Sequence, residues 1–356
     1  MRLEQINESP SQAAPRVRLD TVAGETIPAE AERTALAEEL RLLRDDELAE
    51  WDGLVDLSPQ GSVFCRSWWL QACGGDIRVL GYFKGGKLIA GIPLFYQKRF
   101  QLRFCLMPKL TQVWGVVIEP LSGKLCNVHS RENEILAVFA KRLAGEFAFY
   151  QRFHPSQSNW LPFLWNGFQQ TTGYSYFLDK LDHLDGIWAE MGQNTRTKIR
   201  KAEKSGLVVK PCSPATVMNT VEKIFRRQSL PVPFDLQTLS RLNDAAVERD
   251  AGGCWAAVDA EGNAHASTFL VFDQKRAYNL AGGPDPDFRS DGAQAFLTWN
   301  SIQRVAGRTE VFDFAGSMLE QVESSIRAFG AKQAPYNLVS HFPFVLRLGL
   351  HLLDKL

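Results

Sequence analysis

A pattern of strand, glycine turn and strand occurs twice in this chain, at positions about half a chain apart. In the first copy the turn at Gly85-Gly86 separates two β-prone segments, and in the second copy Gly262 does the same. An apolar segment that predicts a further strand follows each hairpin, Ile92–Tyr96 and Thr268–Phe272. Gly86 and Gly262 are 176 residues apart in a chain of 356 residues. Repetition at this spacing predicts two related mixed α/β units in tandem.

Composition agrees with two globular domains and gives no reason to expect DNA as a partner. Of the 356 residues, 45% are hydrophobic and 22% are charged, which is enough apolar material for a sizeable core. Lys and Arg together number 40, and so do Asp and Glu, so the formal net charge is zero. A neutral chain gives no electrostatic reason to expect DNA as a partner.

Cysteine usage and hydropathy predict the compartment. None of the six cysteines belongs to a C-x-x-C pair, so we predict no metal site. The sequence shows neither the apolar core of a signal peptide nor a run of about 18 apolar residues that would span a bilayer. We therefore expect a cytoplasmic protein with reduced thiols.

We divide the chain into four segments. Residues 1–30 are polar and contain three prolines, which predicts a flexible extension. Residues 31–178 and 179–341 are predicted to form an N-terminal and a C-terminal domain, the first of them beginning with a helical stretch up to about residue 57. Residues 342–356 are apolar with a few interspersed charges and predict a terminal helix.

The second copy of the repeat continues with a recognisable order of elements. A short strand, Ala277–Gly283, ends in glycines, and Asp291 then begins a helix that Gly307 ends. Another strand is predicted at Val311–Ala315. After it, Ser317 and Glu320 have the spacing of a capping box at the start of a further helix.

This order, together with several segments along the chain, resembles the Fem-related branch of the GNAT-like acyltransferases, a family often described as peptidoglycan- or polysaccharide-associated. The segments that carry the resemblance are Trp51-Asp52, Phe64–Trp69, Pro162–Phe168, Arg196–Gly206, Asp313–Met318, and Phe329–Ala331 with Tyr336. The resemblance implies two tandem GNAT-like domains of mixed α/β fold, each a mostly antiparallel sheet flanked by helices. It also implies transfer of an acyl or aminoacyl group to an amine.

The resemblance also implies a donor site. In GNAT enzymes an R/Q-x-x-G-x-G/A turn at a helix start holds the diphosphate of acyl-coenzyme A (acyl-CoA), because backbone N–H groups and the helix dipole attract anions. Arg289, Gly292 and Ala293 match this turn, which predicts acyl-CoA, in particular acetyl-CoA, as the donor. Gln294 departs from the pattern, and Asp291 adds a negative charge. The alternative is an ordinary helix capped by Asp291, with an aminoacyl-tRNA as donor.

Catalytic candidates follow from the same resemblance. Backbone groups of the strand Leu280-Ala281-Gly282 are placed to polarise the donor carbonyl. Asp313 alternates with two phenylalanines on its strand and is our candidate general base, with His265 on the preceding hairpin as a second candidate. For both residues the alternative is a structural role.

Acceptor binding is predicted from an aromatic segment and a basic one. Trp165 and Asn166 belong to a stretch that either lines a cleft or packs in the core. Arg196 and Lys198 begin a basic helix that is either a solvated surface or a binding site for phosphates. The terminal segment 342–356 either packs on its domain or touches the inner face of a membrane, where a lipid-linked acceptor resides.

The function expected from these observations is N-acyl transfer from acyl-CoA to an amine of a cell-envelope or polysaccharide precursor, the acceptor being a small molecule or lipid-linked. Attack is expected to be direct, because no nucleophile with a partner base stands out. The alternatives are an aminoacyl-tRNA-dependent Fem-type transferase and a non-catalytic GNAT-like binding protein.

Overall fold

A computed structural model describes residues 38–99, 101–288, 291–316, 318 and 320–344. The predicted extension 1–30, Arg289, Ser317 and most of the predicted terminal helix 342–356 therefore lie outside the described residues. No described helix is both long enough and apolar enough to cross a membrane.

The described chain forms thirteen strands and ten α-helices, with short 3-10 turns at Asp45–Glu47, Val63–Cys65 and Pro286–Phe288. The strands are β1 (Glu38–Leu42), β2 (Asp76–Lys84), β3 (Lys87–Arg99), β4 (Leu102–Leu106), β5 (Val117–Ile118), β6 (Ala148–Arg152), β7 (Gln169–Leu178), β8 (Val208–Pro211), β9 (Gly252–Val258), β10 (Ala264–Phe272), β11 (Arg276–Pro284), β12 (Val311–Asp313) and β13 (Lys332–His341). The helices are α1 (Leu48–Leu57), α2 (Ser67–Cys73), α3 (Leu125–Leu143), α4 (Leu161–Trp165), α5 (Leu184–Glu190), α6 (Gln193–Lys204), α7 (Pro214–Arg227), α8 (Leu236–Glu248), α9 (Ala293–Val305) and α10 (Glu320–Arg327).

All thirteen of these strands belong to one mixed sheet flanked by helices, which confirms the predicted fold class. The strand order is β1-β2-β3-β4-β6-β13-β7-β12-β11-β10-β9-β8, and β5 pairs with β3. Most neighbours are antiparallel, whereas β4 with β6 and β11 with β12 are parallel. Each parallel pair is joined through a helix, α3 in the first half and α9 in the second.

The two halves repeat the same order of elements, and each gives its last strand to the other. Hairpin β2–β3 corresponds to β9–β10, α3 to α9, β6 to β12, α4 to α10 and β7 to β13. Yet β7 pairs with β12 of the second half, while β13 pairs with β6 of the first. The exchanged strands β7 and β13 pair with each other at the centre of the sheet. The predicted domain boundary near residue 178 remains a prediction, because this exchange joins both halves in one sheet.

The turn glycines are placed as the repeat predicts. Gly86 and Gly262 lie in the β2–β3 and β9–β10 turns with φ of 78° and 89°, backbone angles that favour glycine. The helix predicted up to residue 57 is only partly confirmed, since it begins at Leu48 and residues Glu38–Leu42 form an edge strand instead. Glu38 on this edge bonds Lys84 of β2 at 3.0 Å, so its charged side chain suits an exposed strand.

One of the three hydrophobic clusters joins the two halves without the exchanged strands. It combines residues of α1 and α2 with residues of α7, α8, β10 and β11. Trp69 stacks on Phe269 with ring centroids 6.5 Å apart, and Phe64 lies 4.5 Å from Tyr278. Fully buried side chains of this kind each stabilise the fold by about 1.5–3 kcal/mol. The cluster therefore fixes the position of β11 from both halves.

Candidate active site

A gap opens in the sheet where β11 leaves β12. The two strands pair only through Arg276–Tyr278 and Val311–Asp313, although β11 continues to Pro284. A register shift between Phe269 and Leu270 of β10 bends β11 at the same level. The rest of β11 therefore has β10 on one side and, among the described residues, no strand on the other.

The chain after β12 turns away from β11 and widens this gap. Ala315 has a left-handed backbone (φ 59°), and its N–H donates to the Asp313 carboxylate at 2.8 Å. Its carbonyl accepts a 2.6 Å hydrogen bond from Gln112 of the first half. Phe314 N–H donates to Tyr176 of β7 at 2.9 Å, so this segment follows the exchanged strand.

The corresponding position in the first half is closed. There β4 and β6 pair at Phe104–Cys105, and Trp114 then takes the place beside β6. Trp114 N–H donates to Arg152 O at 2.7 Å, and Trp114 O accepts from His154 N–H at 2.8 Å. Of the two halves, only the second carries the open gap in the part of the chain that the structure describes.

The predicted strand Leu280-Ala281-Gly282 lies along this gap. Successive N–H groups of a strand point to opposite sides, so this stretch directs backbone donors both to β10 and into the gap. Gly282 has a φ of 130°, and a Cβ there would overlap the carbonyl of Ser267 in β10. Only glycine allows β11 to approach β10 so closely at this level.

Asp313 lies at the closed end of the gap, in a hydrogen-bond network that uses both of its carboxylate oxygens. Its Oδ1 accepts from Ser175 Oγ at 2.5 Å and from Ala315 N–H at 2.8 Å. Its Oδ2 accepts from Arg276 Nη1 at 2.7 Å. The residue is only 2% exposed. This carboxylate connects β7, β11 and β12, and it does not face an open cleft as a general base would. The geometry matches the structural alternative.

His265 lies at the other end of β11, between two aspartates. Its Nδ1 bonds Asp291, its Nε2 lies 3.0 Å from Asp259 Oδ2, and its ring stacks on Phe288 at 3.8 Å. Burial lowers the pKa of His265, but the hydrogen bonds to Asp291 and Asp259 outweigh it, and the pKa is raised. Hydrogen bonds from Asn263 and His265 lower the pKa of Asp259 to about 2. The three side chains form an ion-paired cluster in which both ring nitrogens of His265 are already hydrogen-bonded.

The start of α9 carries the predicted donor turn. Gly292 is the residue before the helix, with φ 88°, and a Cβ there would overlap the Lys198 carbonyl of α6. Ala293 N–H, a group expected to hold a phosphate, donates instead to Asp291 Oδ1 at 2.8 Å. Asp291 therefore caps α9, as in the alternative to the donor-turn prediction, and its carboxylate takes an N–H group that a diphosphate would use.

The candidate residues form separate groups. His265 neighbours Ala266, which pairs with Pro284, whereas Asp313 pairs with Tyr278, so about 20 Å of β11 separates them. They share the sheet as predicted but cannot act on one proton. Trp165 precedes β7 at the end opposite the pair Phe177–Asp313, about 26 Å away along the strand.

Trp165 and Asn166 are positioned outside the gap. The Trp165 side chain is 64% exposed, and Asn166 Nδ2 donates to Pro162 O at 2.7 Å, which closes α4. Their role in acceptor binding stays a prediction.

The basic helix α6 packs beside α9 and presents its charges to solvent. Arg196 stabilises a neighbouring helix, because its Nη1 donates to Ala189 O at 2.9 Å and so caps α5. Lys198 is exposed, and its backbone touches the start of α9. The other exposed basic side chains of this helix are Arg200, Lys201 and Lys204.

The cysteines offer no nucleophile near the gap. Burial raises the thiol pKa in five of them, to about 11 for Cys65, to about 12 for Cys73 and Cys212, and higher for Cys105 and Cys254. Cys126 is exposed but belongs to α3 of the first half. Thiols so rarely ionised at neutral pH are poor nucleophiles, which is consistent with direct attack.

Three partners of the candidate residues were not singled out from the sequence: Ser175, Arg276 and Asp259. Ser175 comes from the exchanged strand, 138 residues before Asp313. No local pattern indicates such a contact. Asp259 lies in the turn of the β9–β10 hairpin and Arg276 begins β11, and neither residue belongs to a sequence pattern that indicates a site.

Comparison with known proteins identifies the second half. Residues 189–320 match the family model described as acetyltransferase (GNAT) domain. The crystal structure of FemX superimposes with a TM-score of 0.64 at 12% identity, over 84% of this chain and 96% of that one. No curated protein matches the sequence.

Two further solved structures share the fold. A tandem GNAT protein from the clavulanic acid biosynthesis pathway gives a TM-score of 0.51 at 12% identity, over 85% of this chain and 98% of that one. L-PGS from Bacillus licheniformis gives 0.50 at 13% identity, over 87% and 96%. At these identities the structures establish the fold, and the family match establishes the domain. Residues 189–320 thus match a GNAT acetyltransferase domain, and the chain as a whole shares the fold of FemX and of a tandem GNAT protein.

Proposed function

We propose that this protein transfers an acyl group from an activated donor to a primary amine of a cell-envelope or polysaccharide precursor. The observation that carries the proposal is the gap beside β11, where Leu280–Gly282 leave backbone groups without a strand partner. An extended acyl carrier can pair with these groups as an additional strand would. The acyl carbonyl would then lie near the closed end of the gap, at Tyr278.

The reaction is a direct displacement. The acceptor ammonium first loses a proton to water or to a nearby base, and the amine nitrogen attacks the acyl carbonyl carbon. A C–N bond forms, the bond from that carbon to the carrier's sulfur or oxygen breaks, and the leaving group takes up a proton. A backbone N–H of β11 stabilises the oxyanion of the intermediate. Because Asp313 is bonded on both oxygens, we assign it to holding the strands rather than to taking the proton.

Two donors are compatible with this chemistry. Acyl-CoA, in the first instance acetyl-CoA, is the donor that the GNAT family match favours. Aminoacyl-tRNA is the second candidate, and two observations favour it: Asp291 occupies Ala293 N–H, and α6 presents a row of basic side chains beside α9. Phosphodiesters bind such rows through ion pairs.

The acceptor is proposed to enter between the two halves. A phosphate-bearing precursor would meet Lys198 at the edge of α6, and an aromatic-binding group would meet Trp165. A lipid-linked acceptor would require the protein to work at the inner face of a membrane, with residues 342–356 as the contact.

A donor screen tests the proposal. The full chain is mixed with acetyl-CoA, a long-chain acyl-CoA or aminoacyl-tRNA, and its melting temperature is measured. A donor at about 100 times its Kd stabilises the fold by about 2.7 kcal/mol. Transfer is then followed by mass spectrometry on an amino-sugar or peptide acceptor, with the N-acetylated acceptor as matched control. We expect one donor to stabilise the protein and to modify only the free amine. Absence of any stabilising donor and of any transfer would contradict the proposal.

A further inference from the structure

The start of α9 is occupied by the protein's own carboxylate. Asp291 Oδ1 accepts from Ala293 N–H at 2.8 Å, and its Oδ2 bonds His265 Nδ1. A diphosphate at a helix start uses the same N–H groups and the same dipole. Asp291 therefore competes for the position in which a CoA diphosphate would bind.

His265 holds Asp291 in this position. The imidazole is fixed on its other side by Asp259, 3.0 Å from Nε2, and on its face by the Phe288 ring. Asp259 is itself fixed by Asn263, whose N–H donates at 2.7 Å and whose side-chain amide donates at 2.9 Å. The carboxylate is thus anchored to the β9–β10 hairpin and does not turn away freely.

The surrounding charges oppose an anion as well. Two further aspartates, Asp285 and Asp287, lie at the same corner and share one cation, Lys223, at 2.7 and 2.9 Å. Together with Asp259 and Asp291 they place four carboxylates here, against His265 and Lys223 among the described residues. A diphosphate brought to this corner meets four carboxylates, which are ion-paired with only His265 and Lys223 among the described residues.

We infer that Asp291, held by His265, is a specificity-determining residue that excludes a diphosphate from the start of α9. The inference rests on the proposed function and narrows its donor. The acyl carrier reaches the gap at β11 without placing a diphosphate on α9. Because no diphosphate binds at the start of α9, free acyl-CoA is disfavoured as the donor. Carriers whose phosphates bind elsewhere, for example over α6, remain compatible with the site.

The test measures acetyl-CoA binding to the full chain by calorimetry. Asp291→Asn and Asp291→Ser both keep a side-chain oxygen that can cap α9 but remove the negative charge. Asp287→Asn is the matched control, since it removes an equal charge from an exposed residue four positions earlier. S-acetylpantetheine, which lacks all phosphates, is the second ligand.

We expect both Asp291 variants to bind acetyl-CoA on the order of tenfold more tightly than the unchanged protein. Asp287→Asn should give a clearly smaller gain, because its charge is exposed and paired with Lys223, and affinity for S-acetylpantetheine should be the same in all four proteins. Equal acetyl-CoA affinity with and without the Asp291 charge overturns the inference, whether that affinity is high or undetectable. An equal gain in Asp287→Asn overturns it too, because the effect would then be one of overall charge.

The two hypotheses fail separately. The proposed function fails if the protein transfers no acyl group from any donor, which the transfer assay measures. The exclusion of a diphosphate is measured by binding alone, so its failure leaves transfer from another donor intact.

Discussion

Replacing Asp313 by asparagine separates a structural role from a catalytic one. The carboxylate accepts three hydrogen bonds, two at Oδ1 from Ser175 and Ala315 and one at Oδ2 from Arg276. An amide has only one accepting oxygen. If that oxygen faces Arg276, the NH2 group faces the Ala315 N–H, and if the amide is flipped, the NH2 group faces the guanidinium. In either orientation a donor group of the asparagine faces a donor group of its neighbour, and no hydrogen bond forms between the two.

The cost follows from burial. Asp313 and Arg276 have side chains that are 3% and 15% exposed, so the variant leaves a largely buried guanidinium without its counter-ion. Removing one partner of a buried pair costs about 3–5 kcal/mol. Because Arg276 keeps some access to water, we expect the lower end, about 3 kcal/mol, in the free energy of unfolding. Ser175→Ala removes one hydrogen bond and should cost about 1 kcal/mol.

Urea unfolding at neutral pH measures these values, with Arg276→Met and the double variant completing a double-mutant cycle. The double variant should be less destabilised than the sum of the two single variants, since neither charge is then left unpaired. Turnover per folded molecule should stay within about tenfold of the unchanged protein. A stability change below about 0.5 kcal/mol together with a loss of turnover of about two to four orders of magnitude would refute this reasoning and identify Asp313 as the base.

Three further predictions concern the cluster at α9 and the contact between the halves. Gly292→Ala should destabilise the fold by about 2 kcal/mol or more, because the added Cβ would overlap the Lys198 carbonyl and the backbone φ is 88°. Thermal unfolding measures this change, and unchanged stability would mean that α6 does not contact the start of α9. The His265 pKa is raised above 6.5, so the cluster's stabilisation should be complete below pH 6.5 and decline as the pH rises through the raised value. His265→Gln should abolish this decline in stability–pH curves, and an unchanged curve would contradict the assignment. Lys275→Met should lower the free energy of unfolding in urea by about 2–3 kcal/mol, because Nζ donates to the carbonyls of Val55 and Ser58 at 2.7 Å across the two halves. An unchanged free energy of unfolding would show that water satisfies these carbonyls.

Local sequence patterns were sufficient for the hairpins and for the order of elements in the second half. Gly86 and Gly262 predict turns because their backbone angles favour glycine, and the apolar segments after them have the length of strands. The strand at Glu38–Leu42 was missed because Leu36, Leu40 and Leu43 have helical spacing, and pairing with β2 overrides that propensity.

The exchange of strands and the roles at the site could not be obtained in this way. Pairing of Phe177 with Asp313 is a contact between distant segments, and no residue near either one encodes it. Asp313 has the pattern of a candidate base, but its partners Ser175 and Arg276 come from two other strands. His265 likewise becomes ion-paired through Asp291, 26 residues later. The types of these residues indicated polar chemistry, and only the packing shows that their hydrogen bonds are already used.

The exchange of β7 and β13 affects how the chain reaches its final state during synthesis. β6 is complete once residue 152 has left the ribosome, but its final neighbour β13 follows only at Lys332–His341. Until then the edge of β6 is unpaired. β7 is the strand of the first half that corresponds to β13 of the second half. A nascent first half can therefore pair β7 with β6 and has to release it when the second half arrives. Refolding of the full chain is accordingly expected to show a slow step that a fragment ending after Leu178 lacks.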